Sequence, residues 1–136
     1  MESKVKKAGC ILMNTEDKTI ALVLRKQTEY SFPKGHVEEG ESLVECAIRE
    51  TAEETKRDCE ILLPDPIYVE NYITPGGEDV IMYYFLAKDT GPSDNDSDDS
   101  HPTFWVPVDE VLDKLPYSGL QTVWKSVRGT VDEYLK

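Results

Sequence analysis

Residues 35–54 constrain this chain more than any other stretch. Gly35-His36-Val37-Glu38-Glu39-Gly40-Glu41 is a glycine-bearing loop, and it feeds a segment with helical periodicity that ends in Arg49-Glu50-Thr51-Ala52-Glu53-Glu54. Ser42 is placed to cap that helix, and Glu45, three residues on, completes a capping box. At about 100° per residue, Glu53, Glu50 and Glu54 fall at roughly −60°, 0° and +40° around the axis, so three carboxylates share one arc of about 100°. Val44, Ile48, Thr51, Ala52 and Thr55 form a separate, mostly apolar arc, expected to face a core. Like charges at these spacings repel by a few tenths of a kcal/mol per pair. A cation between them removes that repulsion. Hard divalent ions suit carboxylate oxygens, Mg²⁺ above all, with Mn²⁺ as the alternative.

The chain has 136 residues, enough for one domain, 1–136, with a sizeable core. No apolar stretch approaches the roughly 20 residues that span a membrane. The basic N-terminus, Met1 to Lys7, has no long apolar region behind it, so a signal peptide is not expected. Cys10, Cys46 and Cys59 are an odd number without metal-type spacing, which points to a reducing, cytoplasmic setting. A net charge of −12 argues against nucleic-acid polymers as partners, because no basic patch is present to neutralise a phosphate backbone. It leaves small polyphosphates open, since divalent cations can sit between carboxylates and phosphates. Protein partners cannot be read from the sequence. The tract Ser93 to Ser100 reads as a solvated, mobile acidic loop.

Ala8–Met13 reads as a buried strand and Thr19–Leu24 as its hairpin partner, with the turn at Asn14-Thr15-Glu16-Asp17. Short strands are expected at Ile61–Leu63 and Thr103–Val106, and longer ones at Ile67–Ile73 and Asp79–Ala87. Val108–Leu112 begins a short helix, and Leu120–Leu135 carries Leu120, Val123, Trp124, Val127 and Val131 at helical spacing. This order fits an α/β fold, a mixed sheet with a helix on each side.

The run 35–54 resembles the Nudix box, the motif of hydrolases acting on nucleoside diphosphates linked to another group. Gly35, Glu41, Arg49, Glu50, Glu53 and Glu54 match its fixed positions at the required spacing. Six such matches arise by chance on the order of 10⁻⁷ at one start point. Thr51 stands at an apolar slot, Lys56 replaces the terminal Gly, and Arg57 replaces the last apolar residue. Loss of the Gly removes the usual left-handed cap, so the helix is expected to run on to Asp58 or to end without that turn. The resemblance implies the Nudix-type α/β/α sandwich with a mixed central β-sheet, and a pyrophosphohydrolase using Mg²⁺. It implies Glu50 and Glu54 as metal ligands, Glu53 as ligand or general base, and the backbone carbonyl of Lys34 as a further ligand. Glu41 and Arg49 pair structurally, clamping loop to helix.

Lys34, Gly35, His36, Arg25 and Tyr83 are candidates to bind substrate, with Lys26 and His101 as further contacts. Tyr30, Tyr83, Tyr84, Phe85 and Trp105 are candidates to stack on a base. Glu78, Asp98 and Asp99 are candidates for an extra acid outside the motif. The entry Phe32-Pro33-Lys34-Gly35-His36-Val37-Glu38-Glu39-Gly40-Glu41 resembles that of asymmetrical diadenosine tetraphosphate hydrolases. Small nucleotide substrates, dinucleoside tetraphosphates first, follow from that likeness. Diphosphoinositol polyphosphates and nucleoside triphosphates are the alternatives, and a non-catalytic nucleotide-binding module is a further one.

Overall fold

Every position of Ala8–Met13 is buried, as expected of a strand covered on both faces. In the computed structural model, which describes residues 4–136, this is the centre of β1 (Val5–Asn14). Met1–Ser3, the start of the basic N-terminal segment, lie outside the described residues. Asn14 builds the first turn: its Oδ1 accepts from the N–H groups of Glu16 and Asp17, each at 3.0 Å. The chain returns antiparallel as β2 (Thr19–Arg25), with Met13 opposite Ile20. Two three-residue strands follow, β3 (Glu29–Ser31) on β2 and β4 (Lys34–His36) antiparallel to β1.

The motif helix is α1 (Leu43–Thr55). It leads into β5 (Arg57–Ile61), then β6 (Tyr68–Ile73) and the long β7 (Asp79–Pro92). β7 runs parallel to β1 on one side; on the other it pairs antiparallel with β6 along its first half and β5 along its second. β8 (Thr103–Pro107) joins the outer part of β2, and a 3₁₀ turn (Val108–Glu110), α2 (Val111–Lys114) and α3 (Ser118–Tyr134) follow. The result is an eight-stranded mixed sheet between helices, the α/β/α sandwich. No helix among the described residues is long and apolar enough to cross a membrane.

Strand alternation assigns the two faces. Ile11 and Met13 of β1 and Met82, Tyr84 and Leu86 of β7 meet Trp124, Val127 and Val131 of α3. Ala8, Cys10 and Leu12 of β1 and Phe85 and Ala87 of β7 meet Cys46 and Ala47 of α1. The first layer takes aromatics, with Phe32 edge-on to Tyr84 at 5.9 Å; the second takes small residues, so α1 lies close to the sheet.

Four sequence expectations change. Thr51, Ala52 and Thr55 of the expected arc are buried, but Cys46, Ala47 and Glu54 complete the buried side of α1, while Val44 and Ile48 are only half-buried. The buried and acidic arcs therefore overlap, because small Cys46 and Ala47 let the glutamate side of the helix approach the sheet. The helix stops at Thr55, and Lys56 itself adopts the left-handed conformation (φ 59°, ψ 32°), its N–H bonding Ala52 O. The expected strand at Ile61–Leu63 lies earlier, at 57–61, where Arg57 pairs with Asp89 of β7 at 2.6 Å; Leu62 and Leu63 instead pack on the α3-side core.

The fourth concerns the acidic tract, which is tied down rather than loose. Ser93 N–H bonds Lys56 O and His101 N–H bonds Glu54 O, both at 2.9 Å. Lys56 Nζ donates to the carbonyls of Asn95 and Ser97. Side chains two residues apart stitch the tract internally: Ser93 Oγ, Asn95 Oδ1 and Ser97 Oγ accept from the N–H groups of Asn95, Ser97 and Asp99. The aspartates themselves, Asp94, Asp96, Asp98 and Asp99, are exposed to solvent as expected.

Candidate active site

Gly35 sets the distance between β4 and α1. A Cβ there would lie 1.9 Å from Glu50 Oε2, so any side chain would expel that carboxylate. Gly9 does the same beneath β4, where a Cβ would meet Pro33 O at 2.1 Å. Two small-residue contacts thus seat the glutamate face of α1 against the end of the sheet.

Arg49 organises the loop. Its guanidinium reaches both oxygens of Glu41, at 2.6 and 3.0 Å, and the carbonyl of His36 at 3.0 Å. Its remaining arm lies 3.2 Å from Glu53 and 3.3 Å from Glu50. This bidentate bond holds the Glu41 carboxyl down at about 2. Glu54 is buried and accepts from the Lys34 N–H at 2.9 Å and from Arg25 Nη2 at 2.6 Å. Arg25 in turn bonds Ser31 Oγ at 3.0 Å and the Lys34 carbonyl at 3.4 Å.

Glu50 differs from both. Its side chain is 12% exposed, and its ion-pair partner is the one arm of Arg49 that it shares with Glu53. Burial, opposed by Arg49 and reinforced by the charges of Glu53 and Glu54, pushes it up to about 7. A desolvated carboxylate beside two others is a donor set that fits a hard divalent cation. Among the described residues no three acidic, His or Cys side chains are already drawn together as a metal cage, since the arginines engage their oxygens.

The acids open onto a polar cavity of about 460 Å³, lined by Lys34, Glu50, Glu53, Glu54 and Asp99 among others. A second cavity, also about 460 Å³, adjoins it on the α3 side and is lined by Tyr30, Glu70, Tyr72, Tyr84, Tyr117 and Leu120. Arg25 and Lys34 line both. Burial, with Arg25 and Lys7 nearby, lowers the Lys34 ammonium to about 8.

The structure thus brings Arg25, Lys34, Gly35, His36, Glu50, Glu53 and Glu54 around one recess. His36 is exposed at its edge, 3.4 Å from Glu78, which also faces Lys7 at 3.8 Å. Tyr83 is not there: it lines neither cavity and packs on the α1 side of the sheet, with strand alternation giving the cavity face to Tyr84 instead. Phe85 is buried under α1, and Trp105 packs half-buried on that side. Tyr30 and Lys26 line the second cavity, and His101 Nε2 stands 4.0 Å from Glu54. Asp99 lines the polar cavity and Asp98 does not.

Glu70, Tyr72, Tyr117 and Lys7 escaped the sequence reading. A signal existed for Glu70. In β6 the inward positions are Tyr68, Glu70 and Tyr72, while Val69, Asn71 and Ile73 are exposed, so a charge sits in the inward register between two tyrosines.

The sequence model of the NUDIX domain matches residues 4–132. A curated relative, an 8-oxo-(d)GTP phosphatase of Mycolicibacterium smegmatis, is 31% identical over 99 residues, 72% of this chain but only 30% of the relative, so the chain spans under a third of that protein's length. Among solved structures, a C. elegans Ap4A hydrolase binary complex superposes with a TM-score of 0.76 at 23% identity, covering 95% of this chain and 98% of that one. A NUDIX hydrolase from Nitrosomonas europaea gives 0.75 at 17% identity, covering 94% and 90%. At these identities the structural likenesses speak for the fold.

Proposed function

The chain belongs to the Nudix family, and on that premise we propose that it is a pyrophosphohydrolase that cleaves nucleoside polyphosphates, dinucleoside tetraphosphates such as diadenosine tetraphosphate first among them, with Mg²⁺ or Mn²⁺. The observation that carries this reading is that the acidic recess and the tyrosine-lined cavity share Arg25 and Lys34 as lining residues. A base seated between the half-buried Tyr30 and Tyr72 would place its phosphates beside those two cations and then against Glu50, Glu53 and Glu54.

Glu50 and Glu54 would hold the metal with the Lys34 carbonyl, and such an ion, when bound, would supply shielding of phosphate charge and a lowered water pKa. The chain supplies the rest. Arg49 holds Glu53 at the mouth of the recess, where Glu53 can take a proton from water. Arg25 fixes Glu54 and faces the phosphate path. Asp99, held over the recess by the tract's bonds to Lys56, adds a further acid.

The 31% likeness to an 8-oxo-(d)GTP phosphatase supports a second reading, oxidised guanine nucleoside triphosphates. One panel separates the readings: dinucleoside tetraphosphates, intact and oxidised nucleoside triphosphates, and diphosphoinositols, incubated in Mg²⁺ with products resolved by chromatography. Diadenosine tetraphosphate is expected to be cut faster than diphosphoinositols and inorganic polyphosphate, and all cutting should stop in chelator. Faster turnover of diphosphoinositols would overturn the nucleotide reading.

A further inference from the structure

We propose that Glu70 reads the base of the bound nucleotide and favours guanine, so that the tyrosine-lined cavity is selective rather than a general stacking slot. This rests on the nucleotide reading above and, for that same site, moves the first choice among dinucleoside tetraphosphates from adenine to guanine bases.

Glu70 stands on β6 between Tyr68 and Tyr72 on the face turned toward α3, opposite Met82 of β7. It lines the same cavity as Tyr30, Tyr72, Tyr84 and Tyr117. The Tyr84 hydroxyl donates to its Oε1 at 3.3 Å, which fixes the carboxylate plane. Oε2 lies under the first turn of α3, where a Cβ on Gly119 would come within 3.1 Å of it. Glycine at 119, which lines the same cavity, therefore leaves beside that oxygen the room a side chain would take. No cation among the described residues lies within ion-pair distance of Glu70. Burial raises this carboxyl, and the charge of Lys34, in the lining of the same cavity but not bonded to it, opposes that rise; a half-buried carboxylate so placed among aromatic rings has lone pairs to spare for donors.

The chemistry of the bases decides which donors. An ionised carboxylate only accepts. Guanine presents N1–H and N2–H₂ side by side, matching both oxygens. Adenine offers one amino donor next to a ring nitrogen whose lone pair opposes the second oxygen. Uracil offers one N–H between two carbonyls, which repel it. The order of preference is guanine, adenine, uracil, and one extra well-aligned hydrogen bond of this kind is worth about tenfold or more. Glutamine at the same place removes the discrimination, because its amide accepts and donates together and so can pair with either purine.

The test reads binding without turnover. Guanosine, adenosine and uridine 5′-monophosphates have no anhydride to cleave, and calorimetry gives their affinities for the whole protein in Mg²⁺. Wild type is expected to prefer the guanine nucleotide about tenfold over the adenine one. Glu70→Gln, which keeps a partner for Tyr84, should erase that preference, with the adenine nucleotide changing less than about threefold. Glu70→Asp keeps the charge and should keep the order with weaker guanine binding. Melts confirm folding of both variants. A guanine preference unchanged in Glu70→Gln, or no preference in wild type, overturns the assignment. The substrate panel is scored separately: hydrolysis of nucleotides with no base preference refutes Glu70 alone, and base-selective binding without hydrolysis of any nucleotide refutes the substrate reading alone.

Discussion

Arg49 divides one guanidinium among Glu41, Glu53, Glu50 and the His36 carbonyl, so a single side chain joins loop, helix and site. The Glu41 half of that arrangement has a pH signature. Its folded carboxyl titrates near 2, against an ordinary value of 4.5, because of the Arg49 bond. The stabilisation is therefore complete above about pH 4.5 and is lost as the pH falls toward 2. Glu41→Gln should destabilise the protein at neutral pH by about 1.5–3 kcal/mol, the worth of a charge-assisted hydrogen bond. It should also flatten the loss of stability between pH 5 and pH 3, as read by denaturant titrations at each pH. A variant with the wild-type pH slope would show that the clamp carries no linkage. The glutamates, Arg49 and Gly35 were legible as residues because fixed spacing along one helix fixes their relative placement. Tyr83 against Tyr84 was not, since adjacent strand residues differ only by which face the register selects. Glu70 had its signal, a charge in step with Tyr68 and Tyr72, but that signal reads only once the inward face of β6 is known.

Helix α1 shows how far local rules reach along an element. The capping box at Ser42 and Glu45 forms as its sequence dictates, with both reciprocal bonds at 2.9 and 3.0 Å. The other end departs, because Lys56 takes a backbone conformation that glycine adopts at no cost. The side chain gives a reason: Nζ holds the carbonyls of Asn95 and Ser97, binding the acidic tract to the helix end. Lys56→Gly sets these effects against each other. Relief of the left-handed backbone is worth about 1 kcal/mol and the lost bonds are of similar size, so the melting temperature should move by less than about 3 °C. Amide exchange across residues 95–99 should nevertheless accelerate at least about tenfold, as measured by hydrogen exchange and mass spectrometry. Unchanged exchange would mean the lysine does not anchor the tract. None of this was readable beforehand, since bonds between residues about 40 positions apart leave no periodicity. Strands β3 and β4 were missed because three residues are too few to show alternation.

At the scale of the whole molecule, a chain of net charge −12 concentrates carboxylates at one end of its sheet and steadies them unequally. The order of elements and the two-faced sheet follow from hydrophobic patterning, which is why the sandwich could be anticipated from Ala8–Met13, the motif helix and the Leu120–Leu135 periodicity. The partners of each acid depend on packing between distant elements, and they separate acids that look alike in sequence. Glu54 is bonded by Arg25 and the Lys34 N–H, whereas Glu50 holds only a share of Arg49. Glu50→Gln, Glu53→Gln and Glu54→Gln should each lower turnover by at least ~10²-fold, as expected for a metal ligand or general base. Their melts in chelator should diverge. Glu54→Gln leaves Arg25 without its charged partner and should lower stability, by the roughly 3–5 kcal/mol cost of breaking a buried pair at most. Glu50→Gln removes a buried charge that lacks a full partner and should hold or raise stability. The acidic tract divides in the same way. Both aspartates are exposed, but Asp99 lines the polar cavity and Asp98 does not, so Asp99→Asn should cost about tenfold in kcat while Asp98→Asn stays within about twofold. The measurement is steady-state kinetics on all five variants, with melts alongside. Near wild-type rates for the three helix variants would refute the assignment of the catalytic acids. Equal behaviour of the two aspartates would show that the tract's attachment to α1 positions no acid for the reaction.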